Sequence, residues 1–401
     1  MRIPNPGYPA SKLASLYLRM NDVYLDYNAT APLRPEALRA IGDVLANVHG
    51  NPSSTHAFGA AARAALARAR KQVADALGVA AETIVFTSGA TEANNTVLRQ
   101  AARGAGRGAH LVTCATEHPS VLEEVRALES EGCRVTILPV ERDGRLDAGR
   151  FEAALTPETR LASVMWANNE TGVIQPIAEL AARAAARGVP FHTDAVQALG
   201  KLPLALGALP VDCASFSAHK LGGPKGIGAL YLRRGARHAP LFRGGSQEAG
   251  RRPGTENVPG AAGFGAACQA ACAELAQSEA RHARLRERLW DGIHAALPDA
   301  RRNGAREHTL AHTLNVSFAG ASGEALVEAL DLEGIAVATG AACHAGSTEP
   351  SHVLEAMGVP RELGASAIRF SLGPGIDDAA IARVLELLPR VVARVRGARA
   401  A

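Results

Sequence analysis

From Val23 onward the chain alternates short β-branched runs with alanine-rich helical runs, and few architectures accept that rhythm. TIVFTS (83–88), HLVTCA (110–115), RVTILPV (134–140), RLASVMWA (160–167), VPFHTD (189–194), VDCASFS (211–217) and GALYLR (228–233) read as strands. Helical patterns such as ELAARAAARG (179–188) lie between most of them and end on a glycine cap. The alternation predicts an α/β fold built on a mostly parallel, doubly wound sheet. After the glycine-rich GGSQEAGRRPGTENVPG (244–260) the texture changes. A helical stretch covers 261–297, and LNVSFAG (314–320), GIAVATG (334–340) and AIRFSLG (367–373) follow as strands with helices between. This predicts a smaller α+β C-terminal domain. The expected division is 1–32 as an N-terminal segment joining the small domain, 33–258 as the large domain and 259–401 as the small one.

Composition narrows the class. A length of 401 residues allows two or three domains, or one large domain with a satellite. The net charge of +4 is spread over helices such as AARAALARARKQ (61–72), whose arginines read as solvated faces. No basic run carries interleaved aromatics, so no nucleic-acid partner is expected. No apolar run reaches membrane-spanning length and no signal-peptide core is present, so no membrane partner is expected either. Residues 1–19 hold Arg2, Lys12 and Arg19 without an acid, a pattern shared with transit peptides. The preferred reading takes Met20 as the natural start. The six cysteines (114, 133, 213, 268, 272 and 343) follow neither disulfide nor zinc-ligand spacing. No metal is expected, and a reducing, cytoplasmic compartment fits best.

In an open α/β sheet, ligands bind at the carboxyl ends of the strands. Those ends read Ser88-Gly89-Ala90-Thr91, Glu117-His118, Asn168-Asn169-Glu170, Asp194 with Gln197, and Ser217 with His219 and Lys220. Taken singly, each has a plain structural reading: a capped helix, a capping aspartate, a surface lysine. Together they supply a phosphate cradle at a helix start, a carboxylate and an amine. These are the three elements that hold pyridoxal 5'-phosphate: the amine takes the aldehyde covalently, the carboxylate pairs with the ring nitrogen, and the cradle takes the phosphate. No H-E-x-x-H, paired C-x-x-C or G-x-S-x-G competes with that reading.

TGAACHAGS (339–347) sets Cys343 among small, flexible and polar residues, whereas packing cysteines sit among branched apolar ones. The residues alone leave two readings open, a reactive exposed thiol or an idle surface cysteine.

DYNATAP (26–32), GNPSSTH (50–56), FTSGATEANN (86–95), TEH (116–118), NNETG (168–172), HTDAVQ (192–197), SFSAHK (215–220), GPKGIGALY (223–231), RPGTEN (252–257), GAACHAGSTEPSHVL (340–354) and IRFSLG (368–373) resemble, in order, the motifs of cysteine desulfurases. These belong to the class V aminotransferase-like pyridoxal phosphate enzymes. The resemblance implies a fold-type I transferase and a homodimer acting on L-cysteine, with sulfur passed to an acceptor or scaffold protein. It implies that Lys220 carries the cofactor, that His118 stacks on the ring and assists proton transfer, and that Asp194 and Gln197 meet the ring nitrogen and the phenolic oxygen. Ala90, Thr91, Ser217 and His219 would hold the phosphate, with Thr255 reaching across from a second subunit. Asn169 belongs to the cofactor set and, with Arg369, orients the amino-acid substrate. Cys343 would be the nucleophile that receives sulfur as a persulfide.

Three positions depart from the motifs: Ala31 stands for a second threonine, Ala218 for a glycine and Pro374 for an arginine. The segment before EPSHVL has the length of the long-loop desulfurases. GAACH, with His344, also resembles the selenocysteine lyases, which keeps L-selenocysteine as a second substrate. A transaminase that needs no thiol and a non-catalytic sulfur carrier are the readings from other classes.

Overall fold

The computed structural model describes residues 22–103, 108–236, 238–340 and 351–400. The leader 1–19 and the Cys343 and His344 segment lie outside these residues. After the short β1 (Val23–Tyr24) come the seven strands of the large sheet. They are β2 (Ile84–Thr87), β3 (His110–Cys114), β4 (Arg134–Leu138), β5 (Thr159–Ser163), β6 (Phe191–Asp194), β7 (Cys213–Ser217) and β8 (Gly228–Leu232). Their order is β2-β8-β7-β6-β5-β3-β4, and only β8 runs antiparallel to its neighbours. The reason is length: residues 218–227 are too few for a parallel crossover, which needs about a dozen or more.

Period-two packing covers both faces. Val85, Leu111, Leu161, Cys213 and Leu230 meet the helices Ala90–Ala102 and Pro119–Ser130 on one side. Phe86, Val112, Ala162, Ala214 and Phe216 meet the helices Ala57–Leu77, Ile177–Ala186 and Val258–Ala273 on the other. Phe151 and Phe191 are fully buried there, edge to face at 6.0 Å, each contributing on the order of 2–3 kcal/mol by burial. Helix Ala57–Leu77 ends on Gly78 at φ 64°, the left-handed cap that favours glycine.

The expected helical stretch 261–297 is two helices, Val258–Ala273 and Leu275–Ala296. The first belongs to the large core, because small residues let it lie close: a Cβ on Gly263 would fall 2.6 Å from Ile41. The second contributes Leu285, Leu289 and Ile293 to a separate core, so the two cores change over at Glu274. That second core is built on β9 (Arg301–Asn303), β10 (Thr313–Ser317) and β12 (Ala367–Ser371), antiparallel in the order β12-β10-β9. Beside it β11 (Ile335–Ala336) pairs in parallel with β1. Val23, Leu25 and Tyr27 are part of this core, which ties the start of the described chain to its far end.

Candidate active site

The carboxyl ends of the parallel strands open onto a cavity of about 730 Å³. Ala90, Thr91, His118, Asn169, Asp194, Gln197, Ser217, His219, Lys220 and Arg369 all line it. Thr255 does not; it is exposed on its own chain. Cys343 lies outside the described residues.

Each group is placed by the end of an element. Helix Ala90–Ala102 starts on Gly89 without a side-chain cap, so its first amides remain for an anion at the cavity wall. The cradle depends on Gly228, where a Cβ would fall 2.4 Å from the Phe216 carbonyl and 2.7 Å from Gly89 Cα. Asp194 ends β6, and its carboxylate accepts from Asn94 Nδ2 at 2.8 Å and from the Val196 amide at 3.1 Å. No helix follows Asp194, so it is not a helix cap. Asn94 Nδ2 also meets Ser120 Oγ at 2.9 Å, and that hydroxyl lies 2.9 Å from His118 Nδ1.

His118 Nδ1 accepts from the Ser120 amide at 3.1 Å, which places the proton of the neutral ring on Nε2. Burial holds its pKa below the ordinary value; the Asp194 charge opposes that and the Lys220 charge adds to it. Burial, with the charges of Lys220, Lys225 and Lys201, pushes His219 down to about 4.

Lys220 closes the turn Ala218–Lys220 directly after β7. Its Nζ donates to the carbonyls of Asn28 and Ala29, both at 2.8 Å. The Ala31 amide returns a bond to the His219 carbonyl at 2.9 Å, so the segment 26–32, which turns at 27–29, is laced to the lysine turn. Asn28 is the knot of that lacing. Its Nδ2 donates to the Asn169 carbonyl at 3.0 Å and to Thr313 Oγ1 at 2.9 Å, and its Oδ1 accepts from His312 Nε2 at 2.8 Å.

Arg369, on β12 and 1% exposed, reaches the cavity from the small core. Its guanidinium binds Asp26 at 2.6 Å and the Asn169 carbonyl at 3.1 Å, and its Nε has no partner among the described residues. The methyl of Ala218 fits because Gly223 lies opposite; a Cβ there would sit 2.8 Å from it. Ala31 and Pro374 line a second cavity of about 510 Å³, which shares Lys220 with the first.

The residues fit pyridoxal phosphate. A buried carboxylate, an amine, uncapped helix amides and a carboxamide surround one space, and each matches a group that the cofactor carries. Sequence reading missed Asn28, Asn94 and Ser120, which touch the named residues but bring no reactive chemistry of their own. Their only signal was membership of DYNATAP and FTSGATEANN, or adjacency to TEH. It placed Glu170 at a strand end without giving it a role; its carboxylate accepts from Ser351 Oγ, and Gly340 packs against it.

Residues 23–384 match the aminotransferase class-V family. A cysteine desulfurase of Trichormus azollae is 45% identical over 377 residues, 94% of each chain. A solved NifS-like protein superposes with a TM-score of 0.88 at 36% identity, covering 93% of this chain and 100% of its own. SspA, solved in complex with cysteine, superposes with a TM-score of 0.78 at 34% identity, covering 88% of this chain and 99% of its own. The chain belongs to the aminotransferase class-V family, among its pyridoxal phosphate-dependent cysteine desulfurases.

Proposed function

We propose that the chain moves the sulfur of L-cysteine onto the Cys343 thiol, giving L-alanine and a Cys343 persulfide that an acceptor or scaffold protein collects for iron–sulfur cluster assembly or another sulfur pathway. The observation that carries the reading is the meeting of Lys220, Asp194, the uncapped helix start and Arg369 in one cavity. When bound, pyridoxal phosphate supplies an electron sink for the pair left at the substrate Cα.

In this reading Lys220 holds the cofactor and moves the Cα proton. Asp194 pairs with the ring nitrogen and Gln197 with the phenolic oxygen. The Ala90 and Thr91 start, Ser217 and His219 take the phosphate, and Thr255 comes from the partner subunit. His118 covers the ring, its Nε2 proton available for transfer. Asn169 and Arg369 orient the substrate; the unpartnered Arg369 Nε supports a carboxylate ligand there, since a buried donor without an acceptor is costly. Cys343 attacks the substrate sulfur, and the breaking C–S bond leaves its electrons on carbon.

A homodimer is supported by the exposed apolar Leu38, Leu45 and Phe58 on neighbouring helices and by the exposure of Thr255. A cytoplasmic setting is supported by five described cysteines that are all free thiols. No helix among the described residues is long and apolar enough to cross a membrane. The domain division we adopt counts Val258–Ala273 with the large domain and begins the small one at Glu274.

Turnover of L-cysteine and of L-selenocysteine by one preparation, with reductant present, tests the substrate. Cysteine turnover with a persulfide on the Cys343 peptide, both lost in Cys343→Ser, is the expected result. Turnover of selenocysteine alone would replace the desulfurase reading by a selenocysteine lyase. A fully active Cys343→Ser protein would point to a transaminase.

A further inference from the structure

The Gln197 carboxamide sits between two groups that fix which way it faces. Its Oε1 accepts from Lys201 Nζ, and its Nε2 donates to the Asn28 carbonyl at 3.2 Å. Tight turns put Lys201 there. The Ala198 amide bonds to the Ala195 carbonyl and the Lys201 amide to the Ala198 carbonyl, both at 3.0 Å, so residues 197 and 201 share one side of the turn. Carboxamide orientation is ordinarily inferred from the surrounding bonds. Here the Asn28 carbonyl can only accept, so the reversed carboxamide would set oxygen against oxygen. Burial, then the charges of Lys220 and Arg369, draw the Lys201 pKa well below its ordinary value. An uncharged amine still donates through its N–H bonds, so the contact survives either protonation state.

Gln197 is 3% exposed and lines the cofactor cavity, whereas Lys201 lines only the second cavity. Asn28 takes one of the two N–H bonds on Nε2, and the other remains.

We propose that Lys201 is a positioning residue: it holds Gln197 Oε1 away from the cofactor cavity, so that the carboxamide can offer only an N–H donor there. The phenolic oxygen of pyridoxal phosphate is the anionic atom this donor suits. The proposal rests on the reading of Gln197 given above. A donor on that oxygen draws negative charge away from the proton shared with the Lys220 nitrogen, so its loss lets that proton bind more tightly.

The test uses the holoenzyme's visible absorption against pH, together with the apoprotein's affinity for pyridoxal phosphate. Losing one hydrogen bond to a charged oxygen corresponds to roughly one pH unit and about tenfold in affinity. Lys201→Met is expected to raise the titration midpoint by up to about one unit and to weaken cofactor binding up to about tenfold, less than the full loss because the Asn28 carbonyl still opposes reversal, and Lys201→Arg to restore most of both. Gln197→Leu should reproduce the shift, and Lys201→Met added to Gln197→Leu should change nothing further. Additive shifts would overturn the proposal, because Lys201 would then act through its own charge. A shift in Gln197→Leu with none in Lys201→Met sinks the role of Lys201 alone. No shift in Gln197→Leu sinks the cofactor contact beneath it. Should Lys201→Met fail to fold, Lys201→Ala enters the same cycle.

Discussion

Glu117 carries a pH dependence that can be worked through. It is fully buried three residues past the end of β3. Its Oε1 accepts from the Met165 amide at 2.5 Å and from the Cys114 thiol at 3.4 Å, while Oε2 has no partner among the described residues. Burial raises its pKa to about 8, the Asp194 charge pushes the same way, and the Met165 amide opposes. A carboxyl whose pKa rises on folding takes up a proton as the chain folds. Stability is therefore greatest below the unfolded value of 4.5 and is lost as the pH climbs toward about 8. At about 1.4 kcal/mol per unit the full span is on the order of 5 kcal/mol, and between about pH 5.5 and about pH 8 it is about 3 kcal/mol. Glu117→Gln keeps the Oε1 acceptor and removes the titration. Urea unfolding of apoprotein at those two pH values should show wild type losing about 3 kcal/mol relative to Glu117→Gln. Every other titrating group is common to both proteins and cancels. Curves that stay parallel within about 0.5 kcal/mol would refute the argument and show Glu117 ionised in the fold.

Two further outcomes are expected. Asp194→Asn removes the charge that the proposed reading pairs with the ring nitrogen and should cost about 10²-fold or more in turnover; a variant within a few-fold of wild type would reduce Asp194 to a turn residue. Arg70→Met strands the Glu248 carboxylate, which is buried and held by Arg70 through two 2.6 Å contacts, and should cost about 3–5 kcal/mol of unfolding free energy; a loss under about 1 kcal/mol would show that the pair is solvated.

The polar side chains that line the large cavity from the big sheet were legible because each follows a strand end that local pattern announces. β-branched runs mark the strands, and the residue after the run marks the rim of the sheet. Lys220 after β7 and Asp194 at the end of β6 were placed by that pattern, but each had a plain structural reading alone and stood out only as part of the set. What holds those groups was not legible in the same way. Asn28 joins Asn169, Thr313 and His312 across the chain, and no local pattern encodes a bond between residues so far apart. Glu117 looked like a neighbour of His118 until burial set its protonation.

The sequence by itself determined the seven strands of the large sheet and the polar set at their ends, since pleat period and turn chemistry are local. Tertiary structure decided the rest. The polar run Arg301–Asn303 becomes β9 only because β10 offers it an edge, with Asn303 Nδ2 binding Asn315 Oδ1 at 2.7 Å and Ser317 Oγ at 2.8 Å. Val23–Tyr24 is a strand only beside β11, and Val258–Ala273 joins the large core only because its small residues let two helices approach. The orientation of Gln197 belongs to the same class: a carboxamide has two chemically different ends, and only its packed neighbours choose between them.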